Sequence, residues 1–126
     1  RRALDGLWRG SDDPSPPVRS ACLDGAVRIT ARTGQSIPRE AIHARIRREV
    51  DSGSTHWAPD DPPIELVCQL LALLHGRQTM QSTLEGLRSD RRALRGTAYE
   101  FFESVLPPTI SDALLRRLGV KRNAKD

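Results

Sequence analysis

The side chains best suited to ligate a metal or move a proton are three histidines, His43, His56 and His75, and two cysteines, Cys22 and Cys68. None of them stands at metal-ligand spacing from another. There is no H-E-x-x-H and no C-x-x-C, so no metal site is expected. The serines lack a G-x-S-x-G elbow, and no G-x-G-x-x-G or Walker loop offers a phosphate cradle, so no cofactor is expected. Glu100 and Glu103 lie one helical turn apart. Two carboxylates so placed can work as acid and base, but on a surface helix they read as a solvated face. The sequence thus offers no catalytic residue, and an enzyme is not expected.

The remaining reactive types read as structural. His43 follows Ile42 inside a helical pattern. His75 closes another pattern, where a protonated imidazole would suit the negative end of the helix dipole. Cys22 and Cys68 sit in apolar helical patterns and read as buried, unbridged thiols in a reduced, cytoplasmic setting. His56-Trp57 has no such frame. An exposed Trp beside a His is a possible contact surface; the favoured alternative has Trp57 as a lid over a gap between repeats.

The elements that must hold these residues are helices. No stretch alternates for long with a period of two, whereas apolar residues recur at helical spacing throughout. Examples are Val18, Cys22, Ala26 and Ile29, then Ile42, Ile46 and Val50, then Leu94, Ala98, Phe101 and Val105. Proline and glycine punctuate the same pattern. Asp61-Pro62-Pro63 reads as an N-cap ahead of prolines whose missing N–H costs nothing there, and Ser36 ahead of Pro38 reads alike. Gly34, Gly53 and Gly119 fit helix C-termini. The spacing predicts seven helices, at 2–9, 16–33, 38–52, 63–74, 76–88, 91–106 and 109–118, with a polar loop at 52–61. Short connections predict antiparallel neighbours. The helix at 63–74 is apolar almost all round and belongs at the centre.

Paired in order, these helices show a repeated opening. Asp13 precedes Val18-Arg19, and Asp90 precedes Leu94-Arg95. In both, an aliphatic residue is expected to enter the core beside an arginine, and small residues follow (Ala21-Cys22 and Gly96-Thr97-Ala98) that would let the next pair pack close. This pattern resembles the HEAT repeats, α-solenoids of stacked antiparallel helix pairs. The resemblance implies an all-α solenoid of about three helix pairs plus a terminal helix. It also implies an inter-repeat ladder of Asp13, Arg19, Asp90 and Arg95. Leu87-Arg88-Ser89, Leu94-Arg95, Ala98, Glu100-Phe101-Phe102-Glu103 and Val105-Leu106-Pro107 are similar to HEAT segments that follow transporter domains in some bacterial proteins, nucleotide-translocase-like or major-facilitator-like.

The totals agree with one domain over 1–118 and a basic tail over 119–126. The chain has 126 residues, of which 37% are hydrophobic and only 4% aromatic, so its core is aliphatic. The longest apolar run, IELVCQLLALL, suits a core helix rather than a membrane span. The start at Arg1 without a Met suggests a piece of a longer protein. The net charge of +4 is modest, and the arginines alternate with acids along the helices, which argues against specific nucleic-acid binding. The expected function is a non-catalytic interaction or regulatory scaffold. Its partner would be a protein or a neighbouring domain of the same chain. A membrane would be met only through a parent inner-membrane protein or the tail. The rival reading is a nucleic-acid-binding HEAT-like domain related to the alkylpurine DNA glycosylases.

Overall fold

A computed structural model of the protein describes residues 2–52 and 56–120. Part of the expected 52–61 loop, with Gly53, and residues 121–126 of the expected tail lie outside the described residues. Among the described residues the regular elements are all helical: α1 (Arg2–Gly10), α2 (Pro16–Thr33), α3 (Arg39–Asp51), α4 (Pro62–His75), α5 (Arg77–Leu87), α6 (Arg92–Val105) and α7 (Pro108–Arg117).

Proline opens three of these helices. Pro16-Pro17, Pro62-Pro63 and Pro108 occupy first-turn positions of α2, α4 and α7, where a helical N–H has no partner anyway. The expected caps ahead of α3 and α4 do not form. At α4 the reason is chemical. Pro62 and Pro63 have no N–H to cap, and the next amide, Ile64, bonds the Asp61 carbonyl. The Asp61 carboxylate instead turns back and accepts the Ala58 N–H at 2.8 Å. Before α3, Pro38 itself holds the N-cap position and Ser36 makes no capping bond. At the other end of α2, Gly34 takes a φ of 76°, and its N–H closes on the Thr30 carbonyl. A side chain at that φ would be strained.

α4 holds the centre. It packs against α2, α3 and α5, and α1 covers α2. Ile64, Leu66 to Cys68 and Leu70 to Leu73 are all buried. At about 1.5–3 kcal/mol for each large aliphatic side chain, this helix supplies the largest single share of the hydrophobic stabilisation. α5 continues into α6, and α6 meets α7. α7 then packs against α3, so the last helix lies beside the third. Arg117 fixes that junction by donating from Nε to the Val50 carbonyl at 2.8 Å.

Two expected core residues are not in the core. Val18 and Leu94 are 42% and 45% exposed. Neighbouring helical residues point about 100° apart, and in both places the following arginine takes the inward side. Leu23, Ala26 and Val27 fill the core from α2, and Ala98 and Phe102 from α6.

Candidate interaction surface

The openings of α2 and α6 share one local geometry. Arg19 donates from Nη1 to the carbonyl of Asp13, a long bond at 3.5 Å, and Arg95 does the same to the carbonyl of Ser89 at 2.9 Å. The side chain of each accepting residue takes the amide two residues on: Asp13 from Ser15 at 2.8 Å, Ser89 from Arg91 at 3.0 Å. A glycine of the preceding helix lies against a small residue of the following one. A Cβ on Gly10 would come within 2.5 Å of the Cys22 sulfur, and one on Gly86 within 3.6 Å of the Ala98 methyl. Gly10 and Gly86, Asp13 and Ser89, Arg19 and Arg95, and Cys22 and Ala98 each stand 76 positions apart. The structural equivalent of Asp13 is therefore Ser89, one residue before Asp90. The small residues bring the two helices of one pair together, α1 to α2 and α5 to α6, rather than one pair to the next. Both arginines staple a helix to the loop that leads into it.

The His56-Trp57 segment lies at the α3–α7 junction. Trp57 is 4% exposed. Its N–H reaches the Arg117 carbonyl at 2.7 Å, and the Arg117 guanidinium lies 6.0 Å from the ring centroid. His56 is exposed, with its ring against Gly119. Trp57 therefore offers no free face to a partner.

A buried charge network joins α1 to α3. Arg45 is 7% exposed. It donates to the Ser11 hydroxyl at 3.0 Å and to the Ser11 carbonyl, pairs with Asp12 at 3.4 Å, and lies 5.9 Å from the Trp8 ring centroid. Burial lowers its pKa, and Asp12 opposes that shift. Arg48 shares the Asp12 carboxylate. The only signal in the sequence is spacing: Ile42, Arg45 and Ile46 fall on one helical stripe, which places the arginine inward.

The two half-buried histidines sit close to Arg39. Burial lowers the pKa of His43 and of His75, the Arg39 charge adds to both, and His43 adds further to His75. The expected protonated His75 at the end of α4 is thus disfavoured, because burial and the Arg39 charge both act against the charged imidazole. Both Nε2 atoms are enclosed without a hydrogen-bond partner, and the His75 ring meets Phe101 edge-on at 5.6 Å. Burial also pushes the Cys68 thiol up to about 12. Cys22 is half-buried, and both cysteines are free. Among the described residues no three His, Cys, Asp or Glu side chains could share a metal ion.

Of the hollows that border α4, two share Glu65 and Gln69. The larger, about 400 Å³, runs between α2, α4 and α5. Val27, Cys68, Ala72, Met80 and Leu84 form its apolar lining, and the Asp24–Arg77 ion pair ties α2 to α5 at its edge. The smaller, about 270 Å³, lies where α2 and α3 flank the start of α4. Glu65 and Gln69 line both. Together they follow the one stripe of α4 left uncovered, at Pro62, Glu65 and Gln69.

No family model, curated protein or solved structure matches the chain. No helix among the described residues is long and apolar enough to cross a membrane.

Proposed function

We propose that the chain is a non-catalytic interaction module, a HEAT-like helical scaffold that holds a protein partner or a neighbouring domain of a larger protein, located in the cytoplasm. The observation that carries this reading is the double hollow over α4. The stripe of the central helix at Pro62, Glu65 and Gln69 borders both hollows or one of them, and α2, α3 and α5 flank it. A concave surface with an apolar floor and a polar rim suits an inserted helix or extended segment. Met80 supplies an adaptable side chain to that floor. The opening geometry repeated at 76 residues supports a common ancestry for the α1–α2 and α5–α6 pairs, as in repeat scaffolds. α7 packs against α3, and the larger hollow stays open between α2, α4 and α5.

Selection from a displayed random peptide library tests this. Peptides enriched on the native chain are expected to lose binding to Gln69→Trp, which fills the middle of the double hollow, and to keep binding to Gln69→Leu, which loses the same bonds to Ser20 without filling it. Enriched peptides that bind Gln69→Trp equally well would contradict the reading.

A further inference from the structure

We propose that the smaller hollow is a self-association site whose occupant is a second copy of this chain. Three elements build it. Pro16 and Arg19 come from α2, Glu49 from α3, and Pro62, Pro63 and Leu66 from α4. The prolines and the leucine make an apolar surface that offers no N–H to a ligand.

The two charges set the occupant. Arg19 and Glu49 line the same 270 Å³ space from flanking helices. Neither forms an ion pair among the described residues, whereas the nearby Arg45, Arg48 and Arg88 all do. Arg19 makes only its long bond to the Asp13 carbonyl. Glu65, on the shared rim, is already engaged by Arg88 at 3.3 Å. Glu49 feels the Arg45 charge one turn back on α3, but neither it nor Arg19 closes an ion pair within the copy among the described residues, so an apolar patch flanked by this cation and this anion is complementary to itself in charge. In a two-fold contact each residue meets its counterpart reciprocally. Arg19 of one copy then faces Glu49 of the other, Glu49 faces Arg19, and the proline-lined apolar surfaces meet across the axis. A foreign partner would have to supply both signs at the right separation; a second copy supplies them by symmetry.

The patch is smaller than a permanent dimer needs, so the expected association is weak, with a Kd of about 10–500 µM. Sedimentation equilibrium of the 126-residue chain tests it, read as the approach to twice the 14.0 kDa monomer mass. Arg19→Glu and Glu49→Arg alone are each expected to stay monomeric, because like charges then oppose across the axis. An equimolar mixture of the two variants is expected to recover the dimer, since each Glu meets an Arg again. Circular dichroism of each variant confirms the fold, and the recovered mixture shows that neither variant failed through misfolding. A native chain that stays monomeric at about 1 mM would overturn the proposal. So would single variants that dimerise like the native chain, or a mixture that does not recover. A native chain that dimerises by another face, with both variants silent, also overturns it and leaves the larger hollow to the interaction proposed above.

Discussion

Arg19 and Arg95 show what a repeated residue does locally. Each half-buried guanidinium satisfies a carbonyl in the loop ahead of its helix. Arg95→Ala leaves the Ser89 carbonyl without that donor and is expected to cost about 1 kcal/mol, seen as a lower urea midpoint at unchanged slope. The 3.5 Å bond of Arg19 is expected to cost less when cut the same way. Equal effects, or none above about 0.3 kcal/mol at Arg95, would contradict the staple. Arg45 carries more. It is buried, and both the hydroxyl and the carbonyl of the buried Ser11 accept from it. Arg45→Met keeps the volume but strands the Ser11 carbonyl, and is expected to cost about 2–4 kcal/mol in a denaturant melt. Cys68, with its thiol pushed up to about 12, is expected to resist a thiol reagent at neutral pH until the protein unfolds.

The contact of α3 with α4 carries a pH dependence. His43 on α3 and His75 on α4 both have folded pKa values below the ordinary 6.5. Unfolding frees both to protonate, so the unfolded chain binds more protons as the pH falls below that value. Stability is therefore expected to be full above about pH 7 and to fall as the pH drops through 6.5 toward the folded values. Arg39 is the charged group that both histidines feel, Glu40 partly offsets it at His43, and Phe101 packs on His75 from α6. His43→Gln is expected to flatten the slope of melting temperature between pH 5 and 7. An unchanged slope in both His43→Gln and His75→Gln would mean that the histidines do not titrate with folding. Close helix approach can be tested at Gly10, where a Cβ would come within 2.5 Å of the Cys22 sulfur. Gly10→Val is expected to force α1 off α2, with a loss of about 1–3 kcal/mol, read by thermal denaturation.

At the scale of the whole molecule, the helices were legible and their assembly was not. Period and punctuation are local. Pro16-Pro17, Pro62-Pro63 and Pro107-Pro108 mark the helix starts, and Gly34 marks an end, because the backbone chemistry acts within a few residues. The central place of α4 was legible too, since a helix apolar all round has to be covered. The inward arginines were hidden, because a charge on an apolar stripe goes in only when a distant group such as Ser11 waits for it. Val18 and Leu94 misled for the matching reason: each looks like a core residue until its arginine neighbour claims the inner side. Asp90 stood one residue off the register that Gly10–Gly86 and Arg19–Arg95 define, and only the carbonyls contacted by the arginines show it. The α3–α7 contact and the hollows over α4 depend on how helices far apart in the chain pack. No local pattern encodes them.

Charge distribution bears on the same scale. Arg28, Arg47, Arg48, Arg77 and Arg88 pair with carboxylates on the surface. Each such pair lowers the local positive field that duplex DNA would meet. A fluorescence titration with duplex DNA is expected to show weak binding that vanishes near physiological salt; sub-micromolar affinity there would favour a nucleic-acid role over the scaffold. The claim that a partner sits over the uncovered stripe of α4 is tested most directly by an amide chemical-shift map. The ¹⁵N-labelled chain would be titrated with a peptide selected on the native protein. Shifts are expected to cluster on Val27, Gln69, Ala72, Met80 and Leu84, on the three helices that wall the larger hollow. Shifts confined to the outer faces of α6 and α7, with those residues silent, would contradict it.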